Sequence, residues 1–586
     1  MNRRLLFAIL VSFTVASLAA CGGGSSSNPV EISFNQSPPA DLQTSGMVPL
    51  AATVFNSSNT GVNWTVSCGS ADCGSFNPTS GASTTYTAPA TVPSGNTVTI
   101  TATAAADSSA SVMGTITITS GSTGTALNGQ YVFAITGLDS SGVYVAAGTI
   151  VADGNGNITG GEEDFCDLAN PTCLVGLLSG NFSTGSDGRG SINITSSTIG
   201  SQTLELVVTS SSHALIIEFD SFATASGTLD LQDANALNAS VISGGYSMTV
   251  NGIDLGLGVP NAFGAEMTGD GSGGFDNVTL DENDEGTLIT VSDTFLVQSG
   301  PDTFGRVTVS DGSLVFGYYI VNAKALRVIE LDEFFQSLGS AYTEGSGSLS
   351  VANLVGNSVF TVADQSPMGA AGVGGEFTAD SSGNVSAGFM DVNDDGSASN
   401  GSISGSALTT VGARGTFTLS GSVSSDVTSF EVYLVDPGVN ILDPTQSTGG
   451  GGALLLDTDA NEVGTGAIIP RAGSSSFNGS YGEGLQVFDT SLDELDMTGQ
   501  TTASGSSSLT GTADVNEDGT LLPAQTLTGM FSADGSNPGR FTGSLTVGTF
   551  GTINLVYYQA SNSQIVVVDV DTGGSAIIGT GVLLGQ

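Results

Sequence analysis

A chain of 586 residues with 55 Asp and Glu against nine Lys and Arg carries a formal charge of −46. So few cations exclude binding to nucleic-acid phosphates and charge-driven adhesion to anionic headgroups, both of which need clustered Lys and Arg. Apolar residues still make up 39%, enough for packed interiors, so this is not a disordered acidic tail.

The amino terminus reads Met1-Asn2-Arg3-Arg4, then an apolar run from Leu5 to Leu18, then Ala19-Ala20-Cys21. A short basic start, an apolar stretch too short to span a bilayer and small residues before a cut site predict a secretory signal over 1–20. Leu18-Ala19-Ala20-Cys21 resembles the lipobox of bacterial lipoproteins, which implies cleavage before Cys21 and a diacylglycerol on its thiol. Residues 21–28, with Gly22–Ser27 reading GGGSSS, then act as a flexible tether. Gly22 after the cysteine, by the same resemblance, implies the outer membrane, at the cell surface or on its periplasmic face. Loss of Arg3 and Arg4 takes the formal charge from −46 to about −48.

Gly (84 residues), Ser, Thr, Val and Ile dominate, and no long window repeats every 3.6 residues. Alternation does recur, as in Thr97–Thr103 (TVTITAT) and Leu204–Val208 (LELVV). The expected class is all-β. With Cys21 spent on lipid, four cysteines remain in two tight pairs, Cys68/Cys73 and Cys166/Cys173. Export makes two local disulfides the expectation, and the lone His213 lies too far along the chain to suggest a metal site with either pair.

Residues 29–120 read as a first domain of short strands broken by Gly, Pro and Asn turns. Val62-Asn-Trp64-Thr-Val66, Gly74-Ser-Phe76 and Thr84-Thr-Tyr86-Thr-Ala-Pro89 resemble the bacterial Ig-like modules of surface proteins, which implies a β-sandwich. Trp64, the only tryptophan, is read as a core anchor.

The remainder divides into four divergent copies of one unit, at 127–233, 237–346, 350–471 and 474–586. Three anchors align them. The first is an acidic turn at Gly161–Asp164, Asp281–Gly286, Asp391–Gly396 and Asp514–Gly519. The second is an arginine opening a strand, at Arg189, Arg306, Arg414 and Arg540. The third is an apolar strand ending acid-x-acid, at Glu218/Asp220, Glu330/Asp332, Asp457/Asp459 and Asp569/Asp571. Four of seven mature basic residues at one anchor predict a structural pair with the acid-x-acid strand of the same copy: Arg189 with Asp220, Arg306 with Asp332, Arg414 with Asp459, Arg540 with Asp571. The competing reading is a charge held beside a Gly turn for solubility. Each copy shows about eight strand-like segments, which suits a small antiparallel barrel or a two-sheet sandwich. The copies also resemble Gly-rich repeats of uncharacterised surface lipoproteins of the Acidobacteria type, a resemblance that implies no activity.

Oxygens at alternate positions ahead of a glycine match the opening half of a calcium loop: Asp281, Asn283 and Glu285; Asp391, Asn393 and Asp395; Asp514, Asn516 and Asp518. The bidentate Glu of an EF-hand is missing, since Ser292, Ser402 and Gln525 stand at that position. Any Ca2+ is therefore weakly held, and the alternative is a hairpin tip whose Asp and Asn cap their own backbone. No other cofactor is expected.

With a single histidine, any Ser-His-Asp or Cys-His site would have to be built on His213, which reads as a surface or strand-entry residue. The expectation is a non-enzymatic, lipid-anchored surface protein with an Ig-like stalk and four barrels or sandwiches projecting outward. Its role is structural, adhesive or binding, toward extracellular glycans or proteins. The rival is a set of lipocalin-like barrels around small apolar ligands, and further off an acid-dependent glycosidase. A filled interior separates the first reading from the second.

Overall fold

The computed structural model describes residues 28–586, apart from 36–37, 39–40, 44–46, 71, 90–91, 120–126, 367–368, 405–406, 422, 424–427, 461, 473–476, 506 and 575. Signal, Cys21 and most of the tether lie outside the described residues. The described residues form two compact units, divided between positions 119 and 120. No helix among the described residues is long and apolar enough to cross a membrane.

The first unit has two four-stranded sheets around one core. One orders Glu31–Phe34, Met47–Phe55, Ser83–Thr87 and Ser75–Asn77. The other orders Asp41–Gln43, Ser111–Thr119, Thr97–Ala104 and Val62–Cys68. Thr97–Ala104 buries every second residue, and Val98, Ile100, Ala102 and Ala104 meet Leu50, Val54 and Tyr86 from the facing sheet. Trp64 lies between Phe34 and Phe76 and donates its indole N–H to the Gly81 carbonyl at 2.9 Å, the core-anchor position expected of it. The Cys68–Cys73 disulfide closes an adjoining loop, with Tyr86 donating to the Cys73 carbonyl.

The second unit holds four antiparallel barrels, so the choice between barrel and sandwich resolves to barrels. Three close fully, with strands running from Asn128–Asp139 to Ala223–Leu231, from Ser243–Asp254 to Phe335–Gly345 and from Gly479–Asp489 to Ile577–Gly585. In the third, between Gly356–Ser366 and Val463–Pro470, the fourth strand is broken into Ser397–Ile403 and Ala407–Val411. The resulting nine-stranded sheet meets itself through the Ile403–Gly421 bridge and the Ser404–Ser420 bond.

Each barrel is filled by its own side chains. Tyr131, Phe133, Tyr144 and Phe182 fill the first, and Tyr246, Phe263, Phe275 and Phe316 the second. Phe360, Phe377, Phe417 and Phe430 fill the third, and Phe477, Tyr481, Phe531 and Tyr557 the fourth. These interiors are packed cores.

The barrels do not project separately. The first two strands of each pack on the last three of the next: first on second, second on third, third on fourth and fourth back on first. One head-to-tail interface is thus used four times and closes into a ring. A second set of apolar clusters lies between barrels, with Val132, Val145, Tyr319, Tyr433 and Leu456 joining the first three and Val359, Ile469, Val556 and Val566 the last two. Val207 and Leu215 meet Leu584 where the ring closes. The string of outward-projecting modules is therefore corrected to a closed cycle with four separate interiors and shared outer faces.

Candidate functional site: the barrel interfaces and their hub

All three sequence anchors meet at one place, but between copies. Arg306 grips Asp164 of the first barrel through Nε and an Nη, both at 2.6 Å. Arg414 holds Asp281 of the second at 2.7 Å twice, and Arg540 holds Asp391 of the third at 2.7 and 2.6 Å. Arg189 closes the ring onto Asp514 of the fourth with one bond at 3.2 Å. The expected intra-copy pairs are thereby corrected. Asp220, Asp332, Asp459 and Asp571 instead accept bonds from their own copies, such as Phe222 N, Val315 N, Ser429 N and Asn554 N. The acid-x-acid strand end places its second carboxylate beside a turn, out of reach of the guanidinium.

A tyrosine joins three of these pairs. Tyr319, Tyr433 and Tyr558, each directly across the strand pair from its arginine, donate to Asp164, Asp281 and Asp391. Each ring needs room, and the residue opposite the aspartate is small: Ala147, Gly264 and Gly374. A Cβ on Gly264 would lie 2.3 Å from the Tyr433 ring, and one on Gly374 2.4 Å from Val568 and 3.3 Å from Tyr558. At ring closure the tyrosine is replaced by Val207, and Thr498 stands opposite Asp514.

The asparagines of the acidic turns reach across the same interfaces. Asn283 donates to the Asp457 and Glu462 carbonyls, Asn393 to those of Asp571 and Ile577, and Asn516 to those of Glu218 and Ala223. In the first copy Cys166 holds this position. It is disulfide-bonded to Cys173, and its Sγ lies 3.6 Å from the Glu330 carbonyl oxygen. Glu285, Asp395 and Asp518 take left-handed backbone at the hairpin tips. Within each turn, then, the aspartate serves a guanidinium, the asparagine amide serves neighbouring carbonyls and the third residue makes the bend. Strand geometry sends these alternate side chains into the next barrel.

Near the ring's hub the sixth and seventh strands of three barrels are joined by two-residue turns, Ser211–Ser212, Ala323–Lys324 and Asn562–Ser563. The third barrel has residues 436–451 there instead. This insertion touches every other barrel. Thr445 meets Ser212 at 2.8 Å, the Pro444 carbonyl accepts from Asn322 and that of Ile441 from Tyr342, and Asn440 accepts from Gln564 at 2.6 Å.

Beside it lies a buried ionic cluster. His213 Nδ1 is 2.8 Å from Asp230 Oδ1 and 3.9 Å from Asp443 Oδ1, while Arg327 of the second barrel donates twice to Asp230 Oδ2, at 2.8 and 2.5 Å. Burial alone would raise the Asp230 carboxyl; Arg327 and His213 outweigh it and hold it down at about 2. His213 opens the first barrel's seventh strand, as expected of a strand-entry residue, but at 1% exposure it is buried and not on the surface. Asp230 and Arg327 were not singled out by sequence, and the only available signal was Arg327 standing outside the arginine anchor. A groove of about 390 Å³, lined by Ser212, Gln232, Asp233, Lys324, Thr445 and Gln446 among others, opens beside the cluster.

No family model and no curated protein matches the chain. Among solved structures it is similar to kievitone hydratase from Nectria haematococca, at 10% identity over 42% of this chain and 95% of that one, with a TM-score of 0.17. It is similar also to transferrin binding protein B from Haemophilus parasuis Hp5, at 9% identity over 83% and 82% of the two chains, with a TM-score of 0.18. Scores this low carry no argument.

Proposed function

We infer that the protein is a lipid-anchored, non-catalytic surface scaffold whose four barrels form one rigid platform for binding or adhesion. The sequence supplies the address through Cys21, read as the lipidated residue of an outer-membrane lipoprotein, and an Ig-like stalk over 29–120. The observation that carries the reading is the pairing of filled barrel interiors with a closed ring of interfaces. Charged side chains that would otherwise line a reaction centre are spent joining barrel to barrel, and aromatic side chains occupy the space a lipocalin-like ligand would need. Contacts with partners are then left to exposed turns and outer strands, and glycans or proteins outside the cell are the classes proposed.

A glycan array probed with the secreted chain, together with native mass spectrometry of the same preparation, tests this. Selective glycan retention by an apo-mass protein is the expected result. A stoichiometric small apolar molecule carried in each barrel would replace the reading with the transport one.

A further inference from the structure

We propose that His213, Asp230 and Asp443 form a buried site for one divalent cation of the zinc class, which pins the third barrel's insertion to the first barrel. The proposal stands independently of the scaffold reading. One imidazole nitrogen and two carboxylate oxygens lie within 4.8 Å of one another, and all three residues are buried. In a tetrahedral site with bonds of about 2.0–2.2 Å, ligand atoms sit roughly 3.3–3.5 Å apart. The 2.8 and 3.9 Å separations from Nδ1 bracket that spacing.

The carboxylates are already oriented from behind, as ligands of such sites are. Arg327 fixes Asp230 through its other oxygen, and Gln446 Nε2 fixes Asp443 Oδ2 at 2.7 Å. His213 Nε2 meets no hydrogen-bond partner, so the buried ring is engaged through Nδ1 alone. A mixed nitrogen and oxygen set suits borderline cations better than Ca2+ or Mg2+. The second and fourth barrels do not repeat the set. Ala325 and Gln564 stand where the second and fourth barrels would need the histidine, paired with Tyr342 and Leu584 where they would need Asp230.

The test uses the full chain, stripped with a chelator and titrated with Zn2+ by calorimetry and with Co2+ by visible absorption, both in excess Mg2+ to occupy surface carboxylates. One equivalent taken up, with a cobalt ligand-field band, is expected. His213→Gln and Asp443→Asn, checked for native circular dichroism, should each weaken binding about a hundredfold or more. The wild-type chain decides even if a variant misfolds: no stoichiometric uptake and no cobalt band overturns the site. Unchanged binding by folded Asp443→Asn overturns it as well.

Discussion

Arg540 and Asp391 meet in a two-pronged ion pair across the boundary between the fourth and third barrels, with both side chains almost wholly buried. Such a pair gives little net stability as a whole, but losing one partner strands the other charge in a dry interface. Arg540→Ala is therefore expected to cost about 3–5 kcal/mol in urea unfolding. Arg189→Ala should cost less, because its bond to Asp514 is single and Asp514 keeps the Ala524 N–H. A double-mutant cycle with Asp391→Ala should return coupling on the order of 1–3 kcal/mol. Additive losses would show that the pair does not join the barrels.

Tyrosine is matched with glycine at two of the interfaces, which gives a sharper test. Gly264→Ala drives a methyl into the Tyr433 ring and should cost about 1–3 kcal/mol by overpacking. Tyr433→Val in the same chain copies the pairing of Val207 with Thr498 at ring closure and should recover part of that loss, although Asp281 then lacks the tyrosine hydroxyl. Equal or greater destabilisation of the double variant, measured by urea midpoints, would refute the matching.

All three anchors were legible in the sequence, and so were the strand class, the eight strands per copy and both disulfides. What could not be read was in which barrel each partner lies. Arg414 and Asp281 are 133 positions apart, and spacing inside one copy offers the nearer Asp459 instead. A clue was present in the seventh strands, HALIIE, ALRVIE, GALLLD and QIVVVD, each wholly or almost wholly buried. Runs apolar on both faces belong to strands covered on both sides, which an isolated barrel in water does not supply. That His213 enters a strand was legible too; its burial was not, because nothing local marks the insertion that covers it.

The first barrel's disulfide occupies the place of an asparagine in its sibling copies. Replacing Cys166 and Cys173 by Ala and Ser should cost roughly 2–3 kcal/mol by the chain-entropy relation for so short a loop. Cys166→Asn with Cys173→Ser should lose less, since the amide can donate to the Glu330 carbonyl as Asn283 does to that of Asp457. If the two double variants melt alike, the asparagine position carries no cross-barrel bond worth measuring.

Buried acids set the pH dependence. Burial pushes Glu483 and Glu163 up to about 7; burial, followed by the neighbouring carboxyls Asp302 and Asp571, lifts Glu162 and Asp569 to about 8. A carboxyl raised in the folded state binds more protons there than when unfolded. Its contribution is therefore full below about pH 4 and is lost as pH climbs through the raised value. Asp230, held at about 2, works oppositely and loses its contribution only in strong acid. Stability should thus peak near pH 4–5 and fall toward pH 8. Glu483→Gln should flatten that fall by on the order of 3 kcal/mol, the equivalent of its own shift. Urea midpoints that stay level or rise between pH 5 and 8 would mean that these carboxyls ionise freely and that the interiors are wetter than their packing indicates.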